Sequence, residues 1–428
     1  MFGSLAPSTT RDAGASTTRD SGASTTRDAG ASTLGDATMP LASWVLAAML
    51  CGCRCSNAGG RTPGLAEATD PSQPAEMSDG GAPHGDAARE RLVGGARRVV
   101  PGGVRWLGRI DARDPGAVKF AWSGAGFVAT VHGRKLSVKL KTEDADSAFF
   151  QPVIDGQVGS RFAVRSGDAQ TITLGDGLSD GDHTVELYRD TEGMYGRSVF
   201  GGFVDGKLMG APAGSGRLIE VIGDSISAGY GNLGKEVHPP WDNTCSFSLD
   251  TESAYQSYGA MLGRALDAEV STVARSGWGM YRDINGDTTG VLPSIYANAV
   301  GTASDPAWSF ERKADAVVIN LGSNDSDKGD PGKPYEDAYI ALLRIVRGHY
   351  PRAWIFLTMG PMTGEPMLTQ MRTHLKKVAA TLADDRVVVV DMPSQDATST
   401  GCDYHPNVAE DRAMADLLAA PIREKLGW

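Results

Sequence analysis

The sequence predicts an α/β domain on an open parallel sheet, preceded by an all-β sandwich or jelly roll and a disordered N-terminal tail. Three observations carry this reading. Residues 1–94 hold no lysine and only two aromatics, Phe2 and Trp44, so they have little to bury. Residues 95–213 are short β-type runs broken by glycine and aspartate turns. Residues 217–428 alternate Val/Ile-rich runs with stretches whose apolar residues recur at helical spacing. The net charge of -11 argues against a nucleic-acid binder with a broad basic face. No apolar run reaches the ~18–20 residues of a membrane-spanning helix.

The tail opens with an octapeptide repeated three times, Ser8 to Ala15, Ser16 to Ala23 and Ser24 to Ala31. Its unit, S-T-T-R-D-A/S-G-A, has no large apolar side chain to offset the entropy of ordering. Leu41 to Leu50 then has the length of a secretory h-region. Leu50-Cys51-Gly52-Cys53 resembles a bacterial lipobox, which implies export and a lipid on Cys53 that attaches the protein to a membrane; Met39 is an alternative start. Residues 56–94 read as a Gly/Ala/Pro-rich tether. Of five cysteines, Cys51, Cys53 and Cys55 belong to this segment. Cys245 and Cys402 remain, either paired or as separate buried thiols.

In residues 95–213 the strand runs are Ala117–Trp122, Gly126–His132, Leu136–Lys141, Gln151–Ile154, Thr171–Leu174 and His183–Tyr188. Gly133, Asp155-Gly156, Asp176-Gly177 and Asp180-Gly181 read as the turns between them. Residues 211–216 form the linker.

In residues 217–428 the strands are Leu218–Ile222, Glu269–Val273, Ala316–Leu321, Trp354–Thr358 and Val387–Val390, apolar on both faces as buried parallel strands are. Helical stripes run through Ala254 to Leu266, Tyr339 to Val346 and Met414 to Ile422. Ligands of such sheets bind at the carboxyl ends of the strands. Those ends carry Gly223-Asp224-Ser225-Ile226, Ser276-Gly277-Trp278-Gly279 and Gly322-Ser323-Asn324-Asp325, and a late loop carries Cys402-Asp403-Tyr404-His405-Pro406. Serine attacks poorly unless a base takes its proton. Ser225 is the candidate nucleophile, His405 the base, and Asp403 the group that fixes the tautomer. The amides of Ser225 and Gly277 and the side-chain NH2 of Asn324 can hold an oxyanion. Asp224 and Asp325 read as loop hydrogen-bonders. Trp278, with Trp241 and Trp308, could offer a stacking face to a substrate. G-x-S-x-G is absent at Ser225, which weighs against the α/β-hydrolase fold. No metal cluster, phosphate-cradling loop or dinucleotide fingerprint appears in the sequence.

The order of these four segments resembles the SGNH (GDSL-type) esterases. With the β module and its stretch Arg189, Thr191-Glu192 and Phe200-Gly201-Gly202, the chain is similar to carbohydrate esterase family 2. That resemblance implies an SGNH-hydrolase three-layer α/β/α domain over 217–428, a jelly roll over 95–213, and no cofactor. It implies a serine esterase that removes O-acetyl groups from xylan- or glucomannan-type carbohydrates, with Gly277, or else Gly279, in the oxyanion hole. The superfamily block D-x-x-H is shortened here to Asp403-x-His405. The family resemblance therefore leaves two ways to orient His405: the Asp403 carboxylate or a backbone carbonyl. A lipase-like or thioesterase activity, and a non-catalytic carbohydrate-binding protein, are the rival readings.

Overall fold

The computed structural model describes residues 99–100, 103–234, 245–302 and 304–428. The repeat, the Leu41–Leu50 segment and Cys53 lie outside the described residues. Among those described, ten antiparallel strands come first: β1 (Val99–Val100), β2 (Arg105–Leu107), β3 (Val118–Phe120), β4 (Gly126–Glu143), β5 (Ser147–Ile154), β6 (Gln157–Val158), β7 (Phe162–Arg165), β8 (Gln170–Gly175), β9 (Asp182–Arg189) and β10 (Arg197–Pro212). β4 is the spine. Its first half pairs with β2 and β9, its second half with β8, and β10 runs along its other edge. Inward residues alternate as a pleated strand requires, and Phe120, Phe127, Val138, Phe150 and Leu187 meet in the core. Gly133 is not a turn between two strands. It sits inside the continuous β4 at φ 144°, opposite Gly206 of β10.

Five parallel strands follow: β11 (Leu218–Gly223), β12 (Glu269–Ala274), β13 (Ala316–Asn320), β14 (Trp354–Met359) and β15 (Val387–Asp391). Their order in the sheet is β12-β11-β13-β14-β15. Helices α2 (Tyr258–Ala265) and α6 (Val408–Leu426) cover one face, packing Met261, Leu262, Met414 and Leu418 on Ile219 and Val221. Helices α4 (Gly332–His349) and α5 (Met367–Leu382) cover the other, packing Tyr339, Leu343, Met371 and Leu375 on Val317, Ile319 and Leu357. Each such side chain, fully buried, contributes about 1.5–3 kcal/mol relative to exposure. Two short helices, α1 (Ser225–Ala228) and α3 (Ser323–Ser326), start directly beyond β11 and β13. The strand order reverses between those two neighbours, which is where an open α/β sheet leaves a crevice for a ligand.

Candidate active site

β11 delivers the chain to Gly223, where a side chain is excluded: a Cβ would lie 1.9 Å from Ser227 Oγ. Asp224 then caps α1, its Oδ1 accepting the Ile226 amide at 3.0 Å. This turn presents Ser225 Oγ to His405, whose Nε2 is 2.8 Å away. The other ring nitrogen, Nδ1, lies 3.0 Å from the main-chain carbonyl oxygen of Asp403. A carbonyl only accepts, so Nδ1 carries the proton and the Nε2 lone pair faces the serine.

The orienting group is thus the Asp403 backbone, and the expectation that its carboxylate fixes the tautomer is corrected. That carboxylate accepts the Tyr230 hydroxyl at 3.0 Å and the Phe247 amide at 2.9 Å. The cause lies in the chain path. Asp403 and Tyr404 are both left-handed, at φ 50° and 59°, a conformation that Asp tolerates better than most residues. This turn brings the carbonyl of residue 403 to the imidazole.

Several contacts hold the His405 loop. Cys245 and Cys402 form a disulfide, so of the two readings of these cysteines the paired one stands. The Asp403 amide donates to Cys245 O at 2.9 Å, and the Cys402 amide to Gly231 O at 2.9 Å. Beyond the histidine, Asn407 caps α6 by accepting the amides of Ala409 and Glu410. An aromatic ladder backs the ring: Tyr195 stacks on Phe247 at 5.6 Å, Phe247 on Tyr230 at 4.0 Å, and Tyr230 leans on His405 at 4.2 Å. Withdrawal from water pushes the His405 pKa down to about 4, against the upward pull of the Asp403 carbonyl and charge. The ring is half-buried with an edge in the cleft, so solvent moderates the push. His405 is a neutral base at pH 7 in either case.

Ser225, Gly277, Asn324 and His405 line one cleft of about 680 Å³. Gly277 is the third residue of a turn closed by the Trp278 amide on Arg275 O at 3.3 Å, and its φ of 77° favours glycine there. Among the described residues neither the Ser225 nor the Gly277 amide has an acceptor within the protein. Gly279 is instead packed against Arg282 O and Asp325 and is not part of the cleft wall. Asn324 Nδ2 donates to Trp278 O at 3.1 Å and reaches Asp224 Oδ2 at 3.3 Å. Asp224 also accepts the Ser323 hydroxyl at 2.5 Å, and burial pushes its carboxyl up to about 7. Asp325 accepts the amides of Met280, Tyr281 and Arg282 at 2.8–2.9 Å, so both aspartates act as loop hydrogen-bonders.

Trp278 is not placed as a sugar platform. The Arg275 guanidinium stacks on its ring at 4.4 Å, and the indole packs against the core rather than the cleft. Trp308 also packs on the core, and Trp241 lies outside the described residues. The cleft wall is built instead by Met194, Tyr195, Tyr230, Ile284, Met362 and Met367. Sequence reasoning did not single these out. Met367 opens α5, and the others lie in connections between the named strands and helices, without periodicity.

A serine beyond the first parallel strand, a late histidine on it, and amides around the same cleft define a GDSL-type acyl hydrolase. Residues 221–413 match the GDSL-like Lipase/Acylhydrolase family model, and residues 106–212 match the Carbohydrate esterase 2 N-terminal model. A family two carbohydrate esterase from Clostridium thermocellum, solved in complex with cellohexaose, is 34% identical with a TM-score of 0.71. The match covers 76% of this chain and 100% of that one. The chain belongs to carbohydrate esterase family 2. The cellulase/esterase CelE of Acetivibrio thermocellus is 35% identical over 76% of this chain, which spans only 40% of that relative's length. An acetylxylan esterase / glucomannan deacetylase of Cellvibrio japonicus is 25% identical, over 76% of this chain and 89% of the relative.

Proposed function

We propose that the protein is a serine esterase that removes O-acetyl groups from xylan- or glucomannan-type polysaccharides or oligosaccharides through an acyl-enzyme. The Ser225 Oγ–His405 Nε2 contact of 2.8 Å, backed by the Asp403 carbonyl, carries this reading. Ser225 Oγ attacks the acetyl carbon while His405 Nε2 takes its proton. The carbonyl oxygen, now an oxyanion, meets the Ser225 and Gly277 amides and the Asn324 NH2, which exchanges its long contact to Asp224 for the new anion. Collapse breaks the bond to the sugar oxygen, which leaves with the proton from His405. Water then gives a proton to His405 and attacks acetyl-Ser225, releasing acetate and free serine. Measuring acetate release across a panel of acetylated polysaccharides tests the reading. Turnover by wild type on xylan or glucomannan acetate, absent in Ser225→Ala, is the expected result.

A second reading rests on the cleft wall. Met194 and Ile284 are 42% and 38% exposed and, with Met362 and Met367, give the cleft an apolar part of its lining. That surface suits a longer acyl chain, as in a lipase-like or thioesterase enzyme. Faster cleavage of p-nitrophenyl octanoate than of the acetate would favour it.

We further propose export and lipid anchoring at Cys53. The apolar run before it and the Cys245–Cys402 pair, which suits an oxidising compartment, support this. Palmitate labelling lost in Cys53→Ser would test it.

A further inference from the structure

The loop that presents the Gly277 amide is held from the other domain. Glu192 follows β9 in the β domain and is fully buried. One of its carboxylate oxygens accepts the Ser276 amide at 2.8 Å, and the other accepts the Ser276 hydroxyl. Both donors of Ser276 therefore end on one carboxylate. Gly277 N–H belongs to the peptide plane that begins at Ser276, so anchoring Ser276 at its nitrogen and side chain, with the Trp278 amide on Arg275 O and the Ile284 amide on Gly277 O, restrains the direction of that N–H.

Glu192 is itself locked. Its carbonyl accepts the Arg189 guanidinium at 3.0 Å, and its amide donates to Glu252 Oε1 at 3.2 Å. Arg189 is also fully buried, and it gives three more donors to Thr191 O, Tyr195 O and the Ser198 hydroxyl. The segment from Arg189 to Tyr195 is thus a rigid bracket that ends, at Met194 and Tyr195, on the cleft wall.

We propose that Glu192 is a positioning residue for the oxyanion hole, so that the β domain is a working part of the catalytic centre rather than only a companion fold. The inference rests on the esterase reading, and two readouts keep them separable. One is hydrolysis of p-nitrophenyl acetate. The other is capture of Ser225 by a fluorophosphonate: Oγ bonds to phosphorus, fluoride leaves, and the hydroxyl proton passes to His405. Capture needs the same nucleophile and oxyanion donors but no acetyl substrate.

Misplacing one of three donors is expected to lower kcat of Glu192→Ala by about 10²-fold, with KM within about twofold. Fluorophosphonate capture should slow in parallel. Glu192→Gln keeps an acceptor oxygen and gains a donor that the Ser276 hydroxyl can accept, so it should recover to within about tenfold of wild type. Ser276→Ala leaves the β domain intact and removes one of the two contacts; its kcat should fall about five- to tenfold, with a modest loss of thermal stability because one buried Glu192 oxygen loses its donor. Wild-type kcat and capture rate in folded Glu192→Ala would overturn the proposal. So would an unaltered Ser276→Ala, or a Gln variant as slow as the Ala variant. If wild type is captured by the fluorophosphonate but cleaves no acetyl ester, the substrate reading fails. Glu192 is then judged on capture rates alone.

Discussion

Two buried glutamates join the β domain to the parallel-sheet domain, and they sit in opposite kinds of surroundings. Glu220, in the middle of β11, faces a cation: Arg109 of the β domain donates to it at 2.9 Å, and neither side chain is more than 1% exposed. The Tyr296 and Tyr350 hydroxyls complete its shell at 2.7 and 2.9 Å, while the rings of Tyr296 and Phe310 flank the guanidinium. Glu192 makes no ion pair of this kind among the described residues; the charges of Arg275 and Arg189 act on its carboxylate without a hydrogen bond to it. Its oxygens are taken by the neutral N–H and O–H of Ser276, in the loop proposed to hold the oxyanion. A charge matched by a charge holds two bodies together, whereas a carboxylate matched by two loop donors sets a direction. The first seam should therefore govern stability and the second rate.

The largest effect lies outside both seams and sets the scale. Ser225→Ala or His405→Ala should lower kcat on p-nitrophenyl acetate by roughly 10⁴–10⁶-fold with the fold intact by circular dichroism. Next, Arg109→Met strands Glu220 in the interior and should cost about 3–5 kcal/mol in chemical denaturation. The kcat of the surviving folded fraction should stay within twofold; a rate loss there would erase the contrast between the seams. Asn324→Ala should lower kcat by about 10²–10³-fold, roughly 2.7–4 kcal/mol in the transition state, with a smaller loss of stability from the contacts to Trp278 O and Asp224. The pH profile should then sharpen the role of His405. The base works only when deprotonated, and its pKa is lowered, so kcat/KM should rise with pH along a limb displaced from the ordinary histidine range toward about 4 and level off by neutrality. A limb above pH 6.5 would contradict that. The smallest effect belongs to Asp403→Asn, which keeps both the carbonyl and a side-chain acceptor. Its kcat should change less than about threefold, where a carboxylate in the triad role would give about 10⁴.

The parallel-sheet domain was largely legible because its signals are local. The strand runs from Leu218, Glu269, Ala316, Trp354 and Val387 all appear in the sheet, and Ser225, Asn324 and Gly277 lie directly beyond the ends of β11, β13 and β12. The helix α5 went unnamed, although Leu368, Met371, Leu375 and Val378 repeat on one face. In the β domain, β10 escaped notice. Its glycines and the register shifts between Phe200 and Gly210 interrupt the alternation on which strand reading depends. Trp278 was misassigned because sequence proximity to Gly277 does not say on which side of the loop an indole falls. Glu192 stood in the resembling stretch without a role. Its partner Ser276 is 84 residues away, and no local pattern encodes that contact.

The Asp403 carbonyl has one more consequence. Ser225 and His405, two members of the proposed relay, are written in codons and can be deleted by one substitution each. The third is written only in the path of the main chain, and every residue placed at 403 supplies the same oxygen. It can be removed only by unwinding the left-handed pair at 403 and 404. Mutational scanning at 403 would therefore report on which residues tolerate that turn and on the loss of the Tyr230 and Phe247 contacts, while the carbonyl itself stays invisible to it.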